Sequence, residues 1–312
     1  MTAPLIHIGF HKTASTLLQR NLFLQEELGF HLPTKGRVGI HRAFITRFGL
    51  DPLPTDAVSE MQAEQKTASS KGGALVLSHE RLSGYPASGG FDQGLIAERL
   101  KEAFPDGKIV MLIREQRQMI YSMYLQTITD GGTLSLARFL KRPEPILLRK
   151  PAFDLGYYEY DRVIAKYQSL FGPENVCVIA FEQFKRDTDT HARALVDFAL
   201  GPEAASRYVD GCLDAPVNKA RPLAFQALRR QLNRLIRNQL NENGLLPIPN
   251  EYIEYGFRKI MPVFEVLRPF DRVIKQRLKA HIAKACDGRY AESNRRLQDL
   301  TGLDLAALGY DT

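Results

Sequence analysis

Five short runs rich in apolar residues punctuate the first two-thirds of the chain, at 5–8, 29–33, 72–78, 108–113 and 175–181. Each is bounded by Gly, Pro or polar residues, the length and punctuation of buried strands. Between them apolar positions recur at helical spacing. Leu17, Leu18, Leu22 and Leu28 extend the first helix, with Asn21 and Gln25 in the same pattern. Further helices are predicted near 56–69, over 93–104, in a long stretch after Arg114, and over a Tyr-rich 155–171. After Gly131 and Gly132 the pattern stays helical to Leu140 and breaks at Pro143 and Pro145. From His191 onward helical spacing dominates, interrupted near 241–250 and at Pro262. Strands alternating with helices predict an α/β fold, a parallel sheet of about five strands flanked by helices on both faces. The expected organisation is a single domain, with 1–200 as a nucleotide-binding α/β core and 201–312 as a mostly helical, basic region.

The polar residues that follow the first run carry the first chemistry. Gly9-Phe10-His11-Lys12-Thr13-Ala14-Ser15-Thr16 joins strand to helix. At such a junction the unpaired N–H groups and the positive end of the helix dipole favour an anion. Gly9 allows a close backbone approach, Lys12 adds a full charge, and Thr13, Ser15 and Thr16 add hydroxyl donors. The spacing is not that of a Walker A loop, which requires Gly-Lys-Ser/Thr after a four-residue gap. Ser and Thr are also ordinary helix caps, so the stretch alone leaves a plain strand-to-helix turn open. In parallel sheets ligands sit beyond the carboxyl ends of the strands. Glu80 follows the third run and Arg114 the fourth, so both should face the crevice that Lys12 faces. Ser122 lies eight residues after Arg114, about two helical turns on.

Charge and cysteine content narrow the picture. Between Lys219 and Arg296 there are 17 Lys and Arg against 7 Asp and Glu, whereas the whole chain carries only +7. Solvated helix faces account for many of these residues. A basic rim for an anionic ligand or acceptor, or a contact with a lipid headgroup surface, is the functional reading. Cys177, Cys212 and Cys286 are far apart and form no CxxC pair, which argues against a zinc cluster and for a reducing compartment. Without a signal pattern or a run of membrane-spanning length, a cytoplasmic location is expected.

Taken together, Lys12-Thr13-Ala14-Ser15-Thr16 and Arg114 with Ser122 and Tyr124 resemble the PAPS-dependent sulfotransferases (PAPS is 3′-phosphoadenosine 5′-phosphosulfate). In that family a Lys-x-Gly-Thr-Thr loop binds the 5′-phosphosulfate. An Arg at a later strand end, with a Ser in the following helix, binds the 3′-phosphate. Further stretches are similar to bacterial members: 174–184, Val217-Asn218-Lys219-Ala220-Arg221-Pro222, and 290–297. This sequence departs from the pattern at Ala14, where Gly is usual, at Glu115-Gln116, where Asp-Pro is usual, and at Met119, where a second Arg is common.

The resemblance implies PAPS as co-substrate, its bisphosphate as product, and no metal. It implies in-line sulfuryl transfer with Lys12 assisting the leaving group. Glu80-Arg81-Leu82-Ser83-Gly84-Tyr85 is similar to the Glu-Lys-Ser-x-x-Tyr segment of the carbohydrate and heparan-type branch, which makes Glu80 the expected base and His79 its rival. His11 and Ala14 are expected against the nucleotide. So are Asn218, Lys219 and Arg221, in a closing loop. The implied acceptor is a hydroxyl or amine, on a glycan or glycolipid, bound by segments 34–72, 84–93, 129–153 and 241–257. Nucleic acid is not an expected partner. Two other classes stay open at this point. A P-loop kinase or hydrolase would share the sheet but lacks its Gly-Lys-Ser/Thr. A non-enzymatic nucleic-acid binder would use the basic C-terminal region but leaves two anion sites at strand ends unexplained.

Overall fold

A computed structural model of the chain describes residues 2–45, 51–141, 151–213 and 221–312. The chain divides into two compact units, the first comprising 1–115, 156–215 and 290–312, the second 116–155 and 216–289.

In the first unit, and among the described residues, five strands form one parallel sheet: β1 (Leu5–Gly9), β2 (Phe30–His31), β3 (Ala74–Ser78), β4 (Lys108–Ile113) and β5 (Val176–Ala180). Their order is β2-β3-β1-β4-β5, with Leu5 opposite both Val76 and Lys108. β1 is therefore central, and the chain leaves it to build one side and then the other. That reversal is where ligands bind in open parallel sheets. β1, β3 and β4 are nearly all buried, as a sheet covered on both faces requires. Leu5, Val76, Val110, Leu112 and Ile179 share one face and one core with Leu18, Leu22, Phe23, Phe184, Leu195 and Val196. Each such side chain contributes about 1.5–3 kcal/mol on burial. Alternate residues point to the opposite face, where the helix Tyr160–Phe171 lies against β4 and β5. The helices Gln93–Ala103 and Ala291–Thr301 pack on that helix in turn.

Three expected helices depart from a simple reading. The first does not run to Leu28. A short α-turn, Ser15–Leu17, widens into a π-turn, Leu18–Leu22, in which the Phe23 N–H donates to the Leu18 carbonyl. The wider turn brings Leu18, Leu22 and Phe23 all to the buried side, with the Phe23 ring 5.6 Å from His7 and 5.7 Å from Phe30. The Tyr-rich segment splits at Glu159 into a 3-10 turn, Leu155–Tyr158, and the helix Tyr160–Phe171. Tyr157, Tyr158 and Tyr160 are all buried. After Gly131, held at φ 104°, only Leu136–Leu140 is helical, capped by the Ser135 hydroxyl. Pro143 and Pro145 lie outside the described residues.

The second unit is helical: Gln116–Thr129, Leu136–Leu140, Leu223–Leu232, Asn250–Ile260 and Asp271–Ala285, with a 3-10 segment Met261–Phe270. Buried Arg229 ties it together, donating to the Thr129 carbonyl and to Glu254 and stacking 4.5 Å over Phe257. Asn233 adds donors to the carbonyls of Ile128 and Gly132, at 2.8 and 3.0 Å. No described helix is long and apolar enough to cross a membrane.

Candidate active site

The loop after β1 is tightly folded. Gly9, Lys12 and Ala14 all have positive φ, at 108°, 61° and 64°. For Ala14 this left-handed geometry costs about 1–2 kcal/mol that Gly would not pay. Thr13 and Ser15 turn their hydroxyls inward and donate to the Phe10 carbonyl, at 2.6 and 3.2 Å. They brace the loop, and Thr13 is fully buried. Lys12 and Thr16 are exposed. The first N–H groups of the helical turn have no carbonyl partner within it.

Arg114 leaves β4 beside this loop. Its Nη1 donates to the Lys12 carbonyl at 3.3 Å, and its guanidinium lies 4.9 Å over the Phe181 ring. The Arg114 carbonyl accepts from the Tyr160 hydroxyl at 2.9 Å, which fixes the strand end. Lys12 and Arg114, two of the expected anion-binding residues, follow different strands and are thus joined by one hydrogen bond.

Glu80 follows β3 and opens a 3-10 turn, Glu80–Ser83. The turn presses against β1: a Cβ built on Gly9 would stand 3.1 Å from the Glu80 carbonyl oxygen and 3.2 Å from its Cα. Arg37 Nη2 reaches both Glu80 carboxylate oxygens at 2.7 Å. Burial alone would raise the Glu80 carboxyl; its backbone hydrogen bond and the Arg37 cation outweigh burial and hold it at about 2. His79 caps the same turn, its Nδ1 accepting from the Arg81 N–H at 3.1 Å. In the neutral ring the proton therefore sits on Nε2. Burial, with Arg37 adding to it and Glu80 opposing, lowers His79 to about 4. His11 is likewise lowered to about 4, by burial first, against the pull of Glu80. At neutral pH both rings are uncharged.

Behind Glu80 runs a chain of hydrogen bonds that sequence reasoning did not single out. Arg37 Nη1 donates to Gln19 Oε1 at 3.4 Å, and Gln19 Nε2 donates to the Ser78 hydroxyl at 3.0 Å. Ser78 lies 2.7 Å from His7 Nδ1. The tautomer of His7 sets which of the two donates in that bond. His7 is fully buried and lowered to about 4, chiefly by burial. A polar residue within an apolar strand run, His7 in β1 and Ser78 in β3, is the signal that could have found this network. Arg37 has no comparable signal in its weakly patterned segment.

Ser122 is half-buried on Gln116–Thr129, in the second unit. Arg221, also there, pairs with Glu254 at 3.3 Å. Asn218 and Lys219 lie outside the described residues.

Comparison with known proteins bears on this arrangement. Residues 95–202 match the model of the sulfotransferase family. The match includes β4, Arg114, Ser122 and β5; the Lys12 loop and Glu80 precede it. Among solved structures the chain is similar to a sulfotransferase from Alicyclobacillus acidocaldarius, at 21% identity over 74% of this chain and 96% of that one, with a TM-score of 0.45. It is also similar to the sulfotransferase domain from the curacin biosynthetic pathway, at 15% identity over 70% and 79%, with a TM-score of 0.35. A search of curated proteins gave no match.

Proposed function

We propose that this chain transfers a sulfuryl group from PAPS to a hydroxyl or amine acceptor, of glycan or glycolipid type. The observation that carries the reading is the junction of two strand ends, where the Arg114 guanidinium donates to the backbone carbonyl of Lys12 at 3.3 Å beside Glu80's turn. An exposed ammonium, an exposed Thr16 hydroxyl and a half-exposed guanidinium form a donor set suited to a nucleotide carrying anionic groups at two positions.

In this reading Lys12 neutralises the charge that develops on the leaving phosphate oxygen as the bond to sulfur breaks. Arg114 takes the 3′-phosphate. Glu80 accepts the proton of the attacking acceptor and is ionised throughout the neutral range. His79 is the weaker candidate, because the turn already uses its Nδ1 and its Nε2 carries the proton. Arg37 aims the Glu80 carboxylate.

Thermal shift and transfer assays test the proposal. Adenosine 3′,5′-bisphosphate should raise the melting temperature more than ATP or an oligonucleotide, since stabilisation follows RT ln(1 + [L]/Kd). Label from sulfur-35 PAPS should then appear on glycan or glycolipid acceptors. Preference for ATP, or no transfer to any hydroxyl or amine acceptor, would overturn it.

A further inference from the structure

We infer that the 3-10 segment Met261–Phe270 and the start of the helix after it form a wedge that docks the protein on an anionic lipid bilayer. The inference is independent of the proposed reaction.

The segment is apolar almost all round. Phe264 turns inward, its ring 5.7 Å from Phe225, and holds the underside to the helix Leu223–Leu232. On the outside Val263, Val266 and Phe270 are 72%, 78% and 61% exposed, and Leu267 and Val273 extend the surface. The two charged residues within the segment neutralise each other, Arg268 Nη2 donating to Glu265 Oε1 at 2.9 Å. On the preceding helix Tyr252 and Tyr255 are also exposed, and the Lys259 ammonium sits 4.5 Å over the Tyr255 ring. Soluble surfaces rarely leave so many neighbouring large apolar side chains in water without a partner to receive them.

Charge selects the partner. Residues 258–277 hold six Lys and Arg against two Asp and Glu. Of the two acids, Glu265 is paired as above and Asp271 accepts the Leu223 N–H at 2.9 Å. Arg258 and Lys259 precede the apolar segment; Arg272, Lys275 and Arg277, all exposed, follow it. An apolar strip framed by cations, with tyrosines beside it, matches the boundary between acyl chains and anionic headgroups. A second copy of the chain would set one cationic frame against another, which like-charge repulsion opposes.

The test is co-sedimentation of the full chain with vesicles of phosphatidylcholine, with and without phosphatidylglycerol. The protein should pellet with the anionic vesicles and not with the zwitterionic ones. Added salt should weaken binding. Val266→Asp and Phe270→Asp should each reduce it at least about tenfold. Val266→Ser and Phe270→Ser, milder at the same exposed sites, should weaken it in the same order. Val209→Asp, exposed but far from the segment in sequence, should bind as the parent does. Failure to pellet with anionic vesicles, or parental binding by the Val266 and Phe270 variants, would overturn the inference. A dimer in sedimentation velocity that Val266→Asp dissolves would overturn it as well, and assign the surface to self-association.

Discussion

The guanidinium of Arg114 donates to the carbonyl oxygen of Lys12, so the cation that follows β4 braces the loop that follows β1. On the proposed reading Arg114 therefore acts on a nucleotide in two ways, by its own charge and by the shape of the Lys12 loop. Arg114→Ala should weaken adenosine 3′,5′-bisphosphate by roughly 1.5–3 kcal/mol in calorimetry, the range of a charged hydrogen bond. Adenosine 5′-phosphosulfate, which lacks the 3′-phosphate, should lose less. Equal losses would mean that Arg114 serves only as a brace.

Gly9 is the close-approach position of the site. Its φ of 108° is one that residues with a Cβ rarely adopt, and the space a Cβ would need is filled by the Glu80 backbone. Gly9→Ala should cost about 1–3 kcal/mol of stability and lower the melting temperature. It should also displace the Glu80 turn, lowering turnover beyond any change in donor affinity. Unchanged stability and turnover would show that the turn and β1 can separate freely.

Removing Arg37 should change how turnover responds to acid. A base works only while ionised, so activity falls as pH drops through its pKa. In the parent protein Glu80 is held at about 2, so with Glu80 as the proposed base the acid limb should lie below the working range. Arg37→Met leaves burial to act without the compensating cation, so the carboxyl rises and the acid limb moves toward neutral pH. Glu80→Gln should lower kcat about 10²–10⁴-fold and leave PAPS affinity nearly intact. If His79→Ala abolishes turnover while Glu80→Gln stays active, the base is His79.

His7 should make stability depend on pH. Its folded value, about 4, lies below the 6.5 of a free histidine, so between the two the unfolded chain takes up a proton that the folded one refuses. The stabilisation is complete above about pH 6.5 and drains away as pH falls through 4, by an amount on the order of 3 kcal/mol. His7→Asn keeps a hydrogen-bonding partner for Ser78, able to donate or accept, but removes the titration. Its melting temperature should fall less steeply between pH 6.5 and 4 than the parent's in scanning calorimetry. Parallel curves would place the titration elsewhere, with His11, His41 and His79 the remaining histidines lowered by burial.

Much of the first unit was legible in the sequence because strands buried on both faces leave long apolar runs. The runs at 72–78 and 108–113 fall on β3 and β4, and Lys12, Glu80 and Arg114 fall at strand ends for the same reason. The first helix was misread because Leu18, Leu22 and Leu28 are buried as the period suggests, yet the backbone between them is a π-turn and a 3-10 turn. Periodicity reports which side chains are inside, not how the backbone carries them there. Arg37 was not legible at all: its partner Glu80 is 43 residues away, and only the folded sheet brings them together. The inward hydroxyls of Thr13 and Ser15 were equally hidden, since a cap, a brace and a phosphate donor are the same residue in a sequence.

The central place of β1 has a consequence for how the protein is made. His7 meets Ser78 of β3 only after 71 further residues, and Val110 of β4 later still. Ribosomes add about 5–20 residues per second, so this apolar strand waits on the order of ten seconds for its neighbours to be synthesised. Throughout that interval its edges are open to any other chain nearby. A slow-translating messenger, or a shortage of chaperones that shield nascent segments, should therefore cost soluble yield, although the finished sheet would hide the strand entirely.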